Sequence, residues 1–224
     1  MIDVICATRS RPERAREMIE SIRATATGFV RITLGVDEDD PRLPDYESMV
    51  DVNLSIAKSA GGGIAVANRL VKATDGEFIQ IMSDDCLMLT DGWDEIMIRD
   101  CPSDHIAVLS GMTLEQKMKR IVFHPMMTRR WVDIVGWVFQ PEVRHYCVDW
   151  ALEQMAKRLD RLIWVDDVVI EHRHHERHSG NGIAKDEVYT RNEASAREDT
   201  RIVHASSAMY DEKVALLKEA ICGN

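Results

Sequence analysis

The chain has 224 residues, 45% of them hydrophobic and 29% charged, with 28 Lys and Arg against 38 Asp and Glu and a formal net charge of −10. That balance excludes a mostly disordered chain and leaves no global basic footprint for nucleic acid or an anionic membrane. The length suits one domain with a core of its own, no apolar run reaches the ~20 residues of a membrane span, and the first residues lack the plan of a signal peptide.

The elements alternate between short β-rich runs and helical ones, which predicts an α/β fold with a mostly parallel sheet covered by helices. Ile2 to Ala7 reads as the first strand. Ser10-Arg11-Pro12-Glu13 then reads as a capping box, with Ser10 as N-cap, before a helix that lays Ala15, Met18, Ile19 and Ile22 on the sheet. Phe29 to Val36 is a second strand, ending in the acidic turn Asp37-Glu38-Asp39-Asp40-Pro41, and Val50 to Ala57 is a weaker third. Gly61-Gly62-Gly63 leads into a helix from Ile64 to Ala73. Phe78 to Met82 is a short, largely apolar strand that runs into Ser83-Asp84-Asp85, and Asp91-Gly92-Trp93-Asp94 starts another helix.

The second half is less regular. His105 to Ser110 and Arg120 to Met126 read as strands, and Trp131 to Val138 is apolar and aromatic. Asp149 to Leu159 is helical. Leu162 to His174 is a strand ending in a histidine cluster, and the tail from Lys185 reads as two polar helices, the last amphipathic through Val214, Leu217 and Ile221. Five widely spaced cysteines without a C-x-x-C read as reduced thiols of a cytoplasmic protein.

Chemistry concentrates at strand ends. Asp84 and Asp85 follow a buried strand, where open α/β sheets place their ligands. Adjacent carboxylates repel unless a cation sits between them, and Mg²⁺ or Mn²⁺ is the natural guest; a solvated acidic turn is the plainer alternative. Asp37 stands at the end of its own strand, ready to accept from a base or ribose, or simply to solvate a turn. The three glycines lack the spacing of a phosphate loop. Strand periodicity puts Ile170, His172 and His174 on one face, with His175 and His178 directed to solvent. That imidazole pair suits a divalent metal or an anionic leaving group. Asp149 reads either as a helix N-cap or as a general base, and Asp166-Asp167 as a turn. Arg129-Arg130 with Lys117, Lys119 and Arg120 form either a local basic patch or a solvated face.

In this order the pieces resemble a small family-2-like GT-A glycosyltransferase of the bacterial and phage kind, over roughly residues 2–175. Cys6 to Pro12 looks like that family's opening strand and T-x-R-P turn, and Asp37 is similar to its base-contacting acid. Gly63, Ala67 and Asn68 match its G…A-x-N helix. Phe78 to Asp85 resembles its strand and D-x-D motif, with Ser83 where the first aspartate stands. Asp91-Gly92-Trp93 fits the turn that follows. Val148-Asp149 resembles the E-D motif, with Val148 in place of the glutamate, and Val168 to His172 its v-x-H strand.

The resemblance implies a GT-A domain over 1–175 and a C-terminal helical extension over 176–224 packing on it. It implies a nucleotide-sugar donor, UDP among the candidates, contacted by Thr8, Arg9, Arg11, Asp37, Asn68 and Asp84. Mn²⁺ or Mg²⁺ would be held by Asp85, His172 and His174, and Asp149 would be the catalytic base toward a hydroxyl acceptor, a glycan or a modified base in phage DNA. A nucleotide-sugar binding protein without turnover is the alternative.

Overall fold

The structure is a computed structural model that describes residues 1–59, 61–114, 121–175 and 184–223. Its first half contains β1 (Ile2–Ala7), α1 (Pro12–Thr25), β2 (Val30–Asp37), α2 (Leu43–Glu47), β3 (Asn53–Ala57), α3 (Gly63–Lys72) and β4 (Phe78–Met82). Then follow β5 (Cys86–Met88), α4 (Trp93–Arg99), β6 (Val108–Thr113), β7 (Met126–Thr128) and α5 (Arg129–Val135). The chain continues through α6 (Val148–Arg158), β8 (Leu162–His172), α7 (Glu187–Glu193), α8 (Ala196–Ala205) and α9 (Ser207–Cys222). Among the described residues no helix is long and apolar enough to cross a membrane.

One eight-stranded sheet runs in the order β3-β2-β1-β4-β7-β6-β8-β5. Its first four strands are parallel. The chain winds outward from β1 through β2 to β3, then returns to β4 on the other side of β1. The crevice beyond the carboxyl ends of β1 and β4 is therefore the switch point where such sheets bind ligands. The expectation of a mostly parallel sheet is corrected in the second half. There β7 lies antiparallel to β4 and β6, and β5 antiparallel to β8, while β6 and β8 are parallel. Parallel pairing needs a long crossover, and no helix among the described residues separates β6 from β7.

Strand periodicity divides the core in two. Val4 and Cys6 of β1 join Met18, Ile22, Leu34, Phe78, Trp93 and Met97 under α1 and α4. Ile5 faces the opposite layer, with Leu70, Trp131, Leu152 and Met155 of α3, α5 and α6. Val203, Tyr210, Val214 and Leu217 of α8 and α9 enter that same layer, so the C-terminal helices share the core of the body.

Several local expectations are corrected. The capping box does not form: Arg11 is the N-cap of α1 and makes no side-chain cap bond. Both capping groups are engaged elsewhere, Ser10 by Asp40, which accepts its N–H at 2.8 Å, and Glu13 by Arg42 at 2.6 Å. The third strand starts at Asn53 rather than Val50, and β6 at Val108 rather than His105. The strand expected over Arg120 to Met126 is confined among described residues to Met126–Thr128. The run from Trp131 begins inside a helix, because Thr128 caps α5 by accepting from the Trp131 N–H at 3.3 Å. The tail holds three helices instead of two, and α2 and β5 were not expected.

Candidate active site

Two strand ends meet at the switch point. From β1 the chain delivers Thr8 and Arg11, and from β4 it delivers Asp84 and Asp85, both buried. The Thr8 hydroxyl donates to Asp84 Oδ2 at 2.7 Å and shares a 3.0 Å hydrogen bond with the Tyr46 hydroxyl. Arg11 Nη1 donates to Asp84 Oδ1 at 3.0 Å. Its Nε and Nη2 donate to the two oxygens of Asp186 at 2.7 and 2.6 Å. Arg11 thus joins the β4 carboxylate to the start of α7. The Tyr189 ring of α7 packs beneath it, 4.3 Å from the guanidinium carbon.

Asp85 has different partners. The Tyr189 hydroxyl donates to its Oδ2 at 2.5 Å, and His172 Nε2 stands 3.4 Å from the same atom. The two neighbouring carboxyls therefore shift in opposite directions. Burial pushes Asp84 up, against the pull of Arg11 and Thr8. Burial also acts on Asp85, but His172 and the Tyr189 hydroxyl outweigh it and hold that carboxyl well below the usual range. This split is how crowded carboxylates titrate in separate steps, with Asp85 the first of the two to ionise.

Around them lies an aromatic and imidazole cluster. His172 packs edge-on to His124 with ring centroids 5.0 Å apart, and His174 follows at 5.5 Å from His172 and 4.8 Å from Tyr189. His175 does not face solvent as expected: it packs 4.4 Å from the Tyr189 ring and 3.5 Å from Glu193, because α7 folds back over the end of β8. His178 lies outside the described residues. Burial pushes the His124 imidazole down to about 3 and the Cys86 thiol well up. Cys86 Sγ and His124 Nε2 are hydrogen-bonded at 2.9 Å.

At the end of β2, Asp37 Oδ2 accepts from Arg9 Nη1 at 3.2 Å, while Asp37 Oδ1 is buried without a hydrogen-bond partner among the described residues. Asp40, also buried, closes the acidic turn by accepting from the backbone of Ser10 and Arg42, each at 2.8 Å.

Asn68 is placed otherwise than expected for a donor contact. Its Nδ2 donates to the Phe139 carbonyl at 2.7 Å and its Oδ1 accepts from the Val138 N–H at 2.9 Å, so it fastens the segment after α5 onto α3. Asp149 is not the N-cap of α6. Cys147 takes that position with φ 65, and Asp149 Oδ1 accepts from the Trp150 N–H at 2.9 Å. Burial raises the Asp149 carboxyl. The loop before α6 is held by Asp199 of α8, which accepts from the backbone N–H groups of Arg144, His145 and Tyr146 at 3.0, 3.0 and 2.9 Å. That loop also presses on Gly62, where a Cβ would stand 2.7 Å from the Arg144 carbonyl oxygen. Arg129 and Arg130 are both tied to backbone carbonyls among acidic neighbours. Arg129 donates to the Gly76 and Val71 carbonyls and Arg130 to that of Asp104, beside Asp75, Glu77 and Asp133. Lys117, Lys119 and Arg120 lie outside the described residues.

Sequence reasoning missed Asp186, Tyr189 and Asp199. All three sit in polar helical stretches with no motif, and they reach the site over separations of 175, 104 and 53 to 55 residues.

No protein-family profile and no curated protein matches the sequence. Solved structures do match in fold. A mannosyltransferase of Pyrobaculum calidifontis, PcManGT, in complex with GDP-Man and Mn²⁺, is similar over 99% of this chain and 74% of its own, with TM-score 0.66 and 13% identity. TarS of S. aureus in complex with UDP-GlcNAc is similar over 98% of this chain and 72% of its own, with TM-score 0.59 and 15% identity. The fold of this chain is thus that of the GT-A glycosyltransferases, with a mixed sheet.

Proposed function

We propose that this chain is a glycosyltransferase that moves a sugar from a nucleotide-diphosphate donor to a hydroxyl acceptor in the crevice beyond β1 and β4. The observation that carries the reading is the Asp84–Asp85 pair, buried at the switch point of this fold beside Thr8 and Arg11. Arg9 and Arg11 offer guanidinium forks that suit phosphate oxygens as well as carboxylates. Arg11 now grips Asp186, a carboxylate that a diphosphate would replace. The orphaned Asp37 Oδ1 is an acceptor waiting for a donor, as a base or ribose hydroxyl supplies. Asp149, its carboxyl raised by burial, is suited to take a proton from the acceptor hydroxyl.

The donor set fits a divalent cation in part. Both oxygens of Asp84 are held by Thr8 and Arg11, whereas Asp85 Oδ1 meets only the Cys86 thiol, at 3.7 Å, among the described residues; Asp85 is therefore the carboxylate open to a cation, with His172 3.4 Å from its Oδ2 and His174 behind it. A Mn²⁺ or Mg²⁺ held there would neutralise charge on the departing diphosphate. The acceptor in this reading is a hydroxyl of a glycan or of a modified DNA base.

The second reading is a nucleotide-sugar binder without turnover. It is favoured by Ser83 in place of a carboxylate and by Asp149 bonding only within its own helix. Thermal shifts with GDP-mannose and UDP-GlcNAc, with Mn²⁺ or with EDTA, test binding. A ligand at 100 times its Kd adds about 2.7 kcal/mol of stability. Release of nucleoside diphosphate on turnover supports the transferase, binding without release supports the binder, and no shift with any sugar nucleotide overturns both.

A further inference from the structure

The end of β4 is surrounded by more metal-binding donors than a diphosphate site requires. Cys86 opens β5, His172 closes β8, and the two are cross-strand partners in the β5–β8 ladder. Direct partners of this kind hold their Cβ atoms about 5 Å apart on one face. His124 arrives from the segment before β7. Its own carbonyl accepts from Gln80 Nε2 at 2.6 Å, and the carbonyl of the next residue, Pro125, from the Ile81 N–H at 3.0 Å. His124 is also left-handed, with φ 46, a conformation a non-glycine residue keeps only where its surroundings enforce it. Backbone from three strands thus sets the position of three donor groups.

One sulfur and two imidazole nitrogens of Cys86, His124 and His172 lie within 4.8 Å of one another. Asp85 stands at the rim, with Oδ1 3.7 Å from Cys86 Sγ and Oδ2 3.4 Å from His172 Nε2. Phe123 packs against both histidine rings, at 6.2 and 5.8 Å, and gives the cluster an apolar wall.

We propose that Cys86, His124 and His172 form a binding site for a zinc-class divalent cation, with the fourth position left to a water molecule. A thiolate with two imidazoles is a borderline-soft set that suits Zn²⁺ or Co²⁺, whereas Mg²⁺ and Mn²⁺ favour all-oxygen shells. Bonds of about 2.3 Å to sulfur and 2.0–2.1 Å to nitrogen, in a tetrahedron, place ligand atoms roughly 3–4 Å apart, the scale of this cluster. Binding replaces the thiol hydrogen by the metal and releases one proton to solvent. The cation ties β5, β8 and the approach to β7 together at one point, and it shares His172 with the proposed donor site.

The inference does not rest on sugar transfer, and its test uses no sugar nucleotide. The full chain, stripped of metal, is titrated with Co²⁺ and then with Zn²⁺. The expected result is one equivalent of Co²⁺ with a thiolate-to-metal charge-transfer band and the intense visible bands of four-coordinate cobalt, all displaced by one equivalent of Zn²⁺. Cys86→Ser should lose the charge-transfer band. Because Cys86 is fully buried, His172→Asn, at a half-buried position, is the second arm: it should keep the thiolate band at saturating Co²⁺ but alter the visible bands, with Co²⁺ and Zn²⁺ affinity falling by more than the ~10-fold expected of an outer partner. Cobalt bound without a thiolate band, or a His172→Asn variant with unchanged affinity and unchanged visible bands, overturns the site. Either result leaves the transferase reading standing, and failure of transfer leaves this site standing.

Discussion

The two halves of the sheet contribute to the site in different ways. The strip β3-β2-β1-β4 is parallel, built of strands joined by helices, and places Thr8, Arg11, Asp37 and Asp84 at neighbouring carboxyl ends. The strip β7-β6-β8-β5 is mixed and brings few groups of its own to that crevice. It contributes His172, and the chain beyond it returns Asp186 and Tyr189 of α7 onto Arg11 and Asp85. The first half is a frame made by local βα units, and the second closes that frame by long-range polar contacts. Substitutions at the junction therefore measure how strongly the halves are coupled.

Arg11→Ala should have the largest effect. It leaves Asp84 buried without its cation and frees Asp186, and breaking a buried pair by removing one partner costs about 3–5 kcal/mol. Urea unfolding followed by circular dichroism measures this. A loss under about 1 kcal/mol would mean that the halves are joined elsewhere.

Next is Asp149→Asn, which asks whether the second half supplies the acceptor base. Turnover should fall by about 10²-fold, about 2.7 kcal/mol in the barrier, while donor affinity from the first half persists. Initial rates beside donor titrations separate the two quantities, and equal loss of both would assign Asp149 to the structure of α6 alone. In the wild type, the rate should rise with pH through a value above the ordinary aspartate range, since burial raises this carboxyl and the base must be ionised.

Tyr189→Phe keeps the ring under Arg11 and removes only the hydroxyl bonded to Asp85. A hydrogen bond to a charged group contributes about 1.5–3 kcal/mol, so a loss near 2 kcal/mol is expected in the same unfolding measurement. An unchanged midpoint would show that α7 is held by Arg11 and packing alone.

The smallest effect belongs to the partly exposed Asp186. Burial alone would raise its carboxyl, but Arg11 outweighs this and holds it below its ordinary value. A depressed folded pKa stabilises above the unfolded value and loses that contribution as pH falls through the folded one. Wild type should therefore exceed Asp186→Asn by under about 1 kcal/mol above pH ~4, with the gap closing below it. Paired denaturation curves from pH 6 to pH 2 check this, and a gap that widens on acidification would reverse the sign.

Local physics in the sequence determined β1, β2, α3 and β4 of the first half to within a residue. The spans Ile2–Ala7 and Phe78–Met82 follow from largely apolar runs, each broken by a single polar residue, Asp3 and Gln80, and Ala15, Met18, Ile19 and Ile22 from helical spacing. The order of these elements also carried the GT-A likeness and marked Asp84 and Asp85. Tertiary structure alone decided what those carboxylates touch. Ser10 and Glu13 read as a cap until Asp40 and Arg42 engaged them. Asn68 read as a ligand contact until the backbone at Val138 and Phe139 took its amide. Asp186 and Tyr189 reach the site across most of the chain, and Cys86, His124 and His172 meet only because β5 pairs with β8 and the approach to β7 lies beside them. Propensity and periodicity act over a few residues, whereas these partnerships depend on which strands pair and which helix returns, and loop closure over such separations leaves no local pattern in the chain.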